Sequence, residues 1–161
     1  MFQAKPARTQ LRKTRSIPLE ALHVLKDGFF AYLATAKMDC NPHLTAMFYI
    51  WDEDSRSIYM IASKRSRKLY NIRNNTKVCV TIDERDPFSP GRNCGVMIRG
   101  NAHLVEMEIA PQDIMLNFLE KYMDFLGVGY PLGTRIAIRV DPKYLSYWKG
   151  TNFYRWKNPD I

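Results

Sequence analysis

A mainly β chain, an antiparallel barrel carrying a few peripheral helices, is the fold class that three features of the sequence predict. Six or seven short runs have strand character, and most follow one another along the chain as antiparallel neighbours do. Helical spacing interrupts them at only three places, around Leu19, Leu69 and Ile114. One run, 43–51, is apolar on both faces. It needs cover on both sides, as in a small barrel packed against a helix or a second subunit.

The elements follow in order. Residues 1–15 carry Lys5, Arg8, Arg12, Lys13 and Arg15, with no acid before Glu20 and little apolar periodicity, which predicts a flexible basic arm ahead of a single domain over 16–161. Pro18 and Glu20 suit the first turn of a short helix whose stripe is Leu19, Leu22 and Leu25, ended by Gly28. Strands over 29–36 and 43–51 form a hairpin around a loop at 37–42, and the acidic turn 52–56 leads into a buried strand at 58–62. After a short helix comes an alternating strand, Val78, Val80 and Ile82. Pro87, Pro90 and Gly91 break 83–93 into a long loop, expected to be the most mobile internal segment and a lid over any pocket. The strand over 94–105 contains Gly100, a bulge signal, and Pro111 opens the main helix, with Ile114, Phe118, Leu119, Tyr122 and Leu126 at helical spacing up to Gly127. A strand over 134–140 is expected to be interrupted by Pro142, followed by a short extended stretch at 143–148 and an aromatic, basic tail at 150–161.

Composition narrows the function. The chain has 161 residues, 46% hydrophobic and 12% aromatic, enough for a full core, and a formal charge of +8 that asks for an anionic partner. No apolar run approaches the ~18 residues of a membrane span, and the polar opening does not resemble a secretory signal. Cys40, Cys79 and Cys94 are odd in number and far apart. This excludes a C-x-x-C metal or redox pair and favours a reducing, cytoplasmic setting.

The most informative stretch is 63–80. Ser66 is a good N-cap type, and Leu69 and Ile72 share the face of a short helix that packs on the sheet. Lys64, Arg65, Arg67 and Lys68 therefore surround a helix N-terminus that already carries partial positive charge and unpaired N–H groups, the makings of a phosphate seat. The same residues also suit a solvated basic face. From Ser55 to Ile82 there is no Asp or Glu, so these cations have no local partners and are expected to look outward or to another subunit.

Ser66-Arg67-Lys68, followed by Asn71-Ile72 and Asn74-Asn75, resembles the S-R-K, helix, N-N-P pattern of the flavin-binding split-barrel proteins related to pyridoxamine 5'-phosphate oxidase, including the general stress type, with Thr76 in place of the proline. Leu33-Ala34-Thr35, Asn41-Pro42-His43, Gly100-Asn101-Ala102 and Trp148-Lys149-Gly150 resemble further family segments, so that the resemblance covers 17–148. The substrate-binding arginines and histidine that follow the last motif in the oxidase are not reproduced; only Arg155 is nearby. The resemblance implies a split β-barrel of the FMN-binding type, antiparallel and Greek-key-like, and a homodimer. It implies that Ser66, Arg67 and Lys68 hold the flavin phosphate, and that Thr45, Ala46, Met47, Ile61 and Ala62 line the ribityl chain and ring. Asn93 and Trp148 of a second subunit would close the pocket. Ordinary core packing is an equally good account of Met47 and Ile61.

Three functions follow. The first is an FMN-dependent oxidoreductase acting on a small molecule. No side chain stands out as its acid or base, since His43, beside a proline turn, suits a structural role. The second keeps the fold and takes the deazaflavin coenzyme. The third, a nucleic-acid-binding barrel, is prompted by the basic arm, 64–77, and the aromatics near Arg155 and Lys157, but lacks any recognition motif.

Overall fold

The computed structural model describes residues 10–127, 129 and 134–161. Strands β1 Gln10–Thr14, β2 Phe30–Ala36, β3 Pro42–Phe48, β4 Ile50–Asp52, β5 Ser57–Ser63, β6 Lys77–Glu84, β7 Cys94–Glu106, β8 Arg135–Lys149 and β9 Asn152–Lys157 alternate with helices α1 Leu19–Asp27, α2 Arg67–Asn74 and α3 Gln112–Leu126. The sheet runs β1-β9-β8-β7-β6-β2-β3, with β5 joining β8 and β4 joining β5. It curls around one core to which Leu33, Met47, Met60, Val80, Ile98, Val140 and Trp156 all contribute. It does not close, because β3 has β2 as its ladder partner and none on its other edge among the described strands.

The split lies along β8. Its first half pairs with β5, from Ile58↔Val140 to Ser63↔Arg135, and its second half pairs with β9, from Tyr144↔Lys157 to Lys149↔Asn152. Pro142 falls between the two partners, where neither neighbour needs its missing N–H, and opposite Gly100, where the register with β7 shifts. The expected interruption at Pro142 is therefore corrected to one continuous strand. Likewise 152–157 is a strand and not a tail. Gly150, with φ of +57°, and Thr151 form a two-residue hairpin loop, and Trp156 is buried.

Three further expectations change. Gln10–Thr14, within the stretch 1–15 whose composition predicts a flexible basic arm, pairs in parallel with β9, while residues 1–9 lie outside the described residues. Edge main-chain groups are strong hydrogen-bonding sites, and β9 offers them to a segment with few apolar residues of its own. In α1 the buried side chains are Ala21, Val24 and Leu25, and Leu19 faces solvent. The run 43–51 breaks at Tyr49, whose N–H donates to the Tyr122 hydroxyl at 3.0 Å; that hydroxyl in turn points at the carbonyls of Tyr49 (2.7 Å) and Phe29 (2.9 Å).

Burial of β5 on both sides has a direct cause. Ile58, Met60 and Ala62 face the barrel core, while Tyr59 and Ile61 face a second core with Ile114, Met115, Phe118 and Tyr122 of α3. The outer face of β3 is covered only at its end: Phe48 stacks on Tyr122 of α3 with ring centres 4.3 Å apart, while within one chain Leu44 and Ala46 are exposed. No helix is long and apolar enough to cross a membrane.

Candidate functional site

β5 ends at Ser63, a tight turn closes with the Ser66 N–H donating to the Ser63 carbonyl at 3.0 Å, and α2 begins at Arg67. Ser66 is extended and occupies the N-cap position, but its hydroxyl caps nothing: Oγ is buried without a hydrogen-bond partner. The first turn of α2 has no acidic residue. A buried hydroxyl without a partner, beside free helix N–H groups, is costly unless something polar is bound there.

The cations separate into distinct positions. Lys68 is half-buried, and its ammonium pKa is held below the ordinary lysine value by burial first and by Arg135 second. Arg135 reaches the corner because it pairs with Ser63 across β5 and β8. Sequence reasoning missed it, since only the strand register links 63 with 135. Lys64 is not free, as had been expected: it donates to Glu106 on β7 at 2.8 Å, a partner outside the acid-free stretch. Arg67 is exposed and lines a cavity of about 380 Å³ with Lys37, Asp39, Tyr70 and Asn71. Asn71 and Asn75 fix the helix against β2, with Asn71 Nδ2 donating to Thr35 Oγ1 at 3.0 Å and Asn75 Nδ2 to the Ala36 carbonyl at 3.3 Å.

The residues expected around a ring lie on two facing edges. β4 leaves β5 at Tyr59, so beyond it the β5 edge that carries Ile61 and Ala62 has no ladder partner among the described residues. The free edge of β3 carries Thr45, Ala46 and Met47, and the two strands are in contact without a ladder. Thr45 Oγ1 is 3.0 Å from His43 Nε2, and Ala46 is exposed. The side chains of Met47 and Ala62 belong to the barrel core and that of Ile61 to the α3 core. What these three can offer a ligand is main chain. Unpaired main-chain edges flanking a gap call for a hydrogen-bonding occupant.

Asn93 and Trp148 are not brought to this corner within one chain. Trp148 pairs with Gly95, on which any Cβ would sit 2.6 Å from the indole Nε1, and Asn93 Oδ1 receives the Asp86 N–H at 2.7 Å, closing the loop that follows β6, which starts after Glu84 and not at Asp83 as the sequence predicts. Both stand at the start of β7, while Glu106 and the corner stand at its end, thirteen residues and roughly 40 Å of strand contour away. Among the described residues no cluster of His, Cys, Asp and Glu could hold a metal ion.

The buried Ser66 hydroxyl, the α2 N–H groups, Lys68 and Arg135 are a donor set that fits a phosphate monoester. Known proteins resemble the chain in family and fold. A yeast relative (Saccharomyces cerevisiae), described as a pyridoxamine 5'-phosphate oxidase homolog, is 27% identical over 81 residues, 44% of this chain and 40% of the relative's length. A conserved hypothetical protein of Mycobacterium tuberculosis superposes with a TM-score of 0.70 at 22% identity, covering 88% of this chain and 90% of the other. A solved F420 reductase superposes with a TM-score of 0.65 at 24% identity, covering 81% and 98%. The profile described as pyridoxamine 5'-phosphate oxidase matches residues 18–149, which span the barrel from α1 to the end of β8, and the chain belongs to that family.

Proposed function

We propose that the chain is an FMN-binding oxidoreductase acting on a small molecule, with the flavin phosphate held at the N-terminus of α2. The observation that carries this reading is the buried, unpartnered Ser66 hydroxyl at an acid-free helix start. Ser66 Oγ and the first N–H groups of α2 would donate to phosphate oxygens, while Lys68 and Arg135 balance its charge. The main chain around Ala46 and Ile61 would align the ribityl chain and ring along the β3–β5 gap. When bound, the flavin supplies hydride transfer; the protein supplies orientation and electrostatics. Mixing denatured protein with nothing but buffer and identifying the released small molecule by absorbance and mass tests this. FMN in near-stoichiometric amount is expected; a protein that copurifies with no flavin and does not bind added FMN refutes it.

A second reading exchanges FMN for the deazaflavin coenzyme. Arg67 and Lys37 outnumber Asp39 in the 380 Å³ cavity beyond the phosphate seat, a net positive lining along which an anionic tail would lie. A solved F420 reductase shares the fold. The same release experiment separates the two by mass.

The active unit in this reading is a homodimer in a reducing, cytoplasmic setting, in keeping with free Cys40, Cys79 and Cys94. The outer sheet face supports a second copy. Phe30 (47% exposed), Tyr32 (42%) and Leu44 (64%) adjoin Ala46 and Met97 across β3, β2, β6 and β7, an apolar patch of the kind that marks an interface. A second copy would also be the source of the Asn93 and Trp148 that one chain cannot bring to its own corner. Sedimentation should give twice the 18.8 kDa chain mass at micromolar concentration, and a species of 18.8 kDa alone counts against it.

A further inference from the structure

A second cationic site lies on the outer face of the sheet, at the opposite end of α2 from Ser66. There Ala34, Ala36, Pro42, Cys79 and Gly100 floor a groove of about 590 Å³, ringed by Lys77, Arg99, Lys143 and Tyr144. The register places Ala34 beside Cys79, Cys79 beside Arg99 and Arg99 beside Tyr144, one row across four strands. The β7–β8 pairing then shifts between Arg99 and Gly100, so that Arg99 faces Tyr144, Gly100 faces Pro142 and Lys143 is the extra residue of a bulge. A bulge re-aims side chains, and this one lets two consecutive residues, Lys143 and Tyr144, both line the groove. Gly100 makes it possible, since a Cβ there would lie 2.0 Å from the Asp141 carbonyl oxygen.

The charge at this groove is uncompensated. Lys26, Arg56, Lys64, Arg85 and Arg139 each have a carboxylate within salt-bridge distance. Among the described residues Lys77, Arg99 and Lys143 have none, and the groove lining contains no Asp or Glu. Instead the Arg99 guanidinium sits 5.2 Å and the Lys143 ammonium 5.9 Å from the Tyr144 ring centre. Three exposed like charges, a bulge and a close glycine approach meet at one place, and the charges share a lining with no acid, an arrangement that favours an anion between them.

The geometry points to a binding site for a flat organic anion, one or two fused rings bearing a carboxylate or a phosphate monoester, with the ring body on the Ala34–Cys79 floor beside Tyr144 and the anionic group among Lys77, Arg99 and Lys143. This site shares no charged residue with the α2 corner, so it stands whether or not a flavin is bound there.

Calorimetric titration of the full chain with 2-naphthoate, 2-naphthyl phosphate and the neutral 2-naphthalenemethanol tests it, the first two arms distinguishing carboxylate from phosphate. One anion per chain should bind at least tenfold more tightly than the neutral analogue. Arg99→Gln and Lys143→Gln should each weaken the anion at least fivefold, whereas Lys68→Ala should leave it unchanged. Equal affinity for charged and neutral probes, or indifference to Arg99→Gln, overturns the proposal. So does absence of anion binding accompanied by a changed dimer dissociation constant in Arg99→Gln, which assigns these cations to the subunit contact. Loss of anion binding in Lys68→Ala overturns it too, by placing the probe at the corner. Failure of the flavin reading appears separately, as absence of FMN binding to unaltered protein.

Discussion

Lys68→Ala should weaken FMN binding far more than Lys64→Ala, although each removes one positive charge from the same corner. Lys64 already donates to Glu106 at 2.8 Å, and both side chains are about half exposed, at 44% and 53%. An exposed pair of this kind contributes little, and its charge is spent on Glu106, so losing it should change affinity by less than about fivefold. Lys68 is half-buried beside Arg135 with no carboxylate partner among the described residues, and a charge-assisted hydrogen bond to phosphate from such a position is worth about 1.5–3 kcal/mol, or roughly ten- to a hundredfold. Fluorescence titration of flavin-free protein with FMN reads both constants on one scale. Glu106→Gln, which frees Lys64 without touching the corner, is the control and should leave affinity near the unaltered value. Equal losses for the two lysine variants, or an unimpaired Lys68→Ala, would refute the phosphate assignment.

Burial and Arg135 depress the Lys68 pKa below its ordinary 10.5, so the charged form is disfavoured in the folded chain. The cost is full below the depressed pKa and is relieved as pH rises through it toward 10.5; Lys68→Met should therefore make the flavin-free protein more resistant to urea at pH 7, with the advantage shrinking in alkaline buffer. Tyr122→Phe removes a hydroxyl that serves Tyr49 N–H and two carbonyls in a fully buried setting, and should cost about 2–3 kcal/mol of unfolding free energy in denaturant titration. Gly100→Ala forces β7 and β8 apart at the bulge, because its Cβ would meet the Asp141 carbonyl oxygen at 2.0 Å; a loss of about 2 kcal/mol or more is expected by the same measurement, against little change for Gly91→Ala, whose Cβ meets nothing within 4 Å.

The cationic helix start was legible because most of what builds it is local. Ser66, Lys68, Leu69 and Ile72 lie within seven residues, where helix periodicity fixes which side chains share a face. Asn71 and Asn75 were visible only as a pattern; their role as anchors of α2 on Thr35 and Ala36 depends on a strand more than thirty residues away. Strand identity was equally readable where one face alternates, as in β6, and β5 was readable as a fully buried run. The errors came where a long-range partner overrides a local signal. Gln10–Thr14 has no pattern of its own and is a strand because β9 ends the sheet beside it. Pro142 is a sound strand-breaking signal that fails here, since β8 changes neighbours at that residue.

Arg135 and the β3–β5 gap show what kind of information the sequence withholds. Every residue of the gap has the composition of an ordinary core strand, and three of its five candidates are core residues by side chain. The binding proposed for it rests on main-chain edges left without ladders, and an unpaired edge is a property of topology, carried by no residue type. β5 is held by β8 on one side, and β4 is too short to hold it on the other beyond Tyr59. The same pairing of β5 with β8 carries Arg135 to Ser63. One topological fact thus both opens the gap and delivers a cation to its end, which makes Arg135→Ala a sharper probe of the site than any residue in the gap. Its loss should weaken FMN while leaving Lys68 less depressed, so that the proton uptake accompanying FMN binding in mildly alkaline buffer falls. If that uptake is unchanged while affinity drops, Arg135 acts on phosphate alone, and the electrostatic coupling between the two cations is absent.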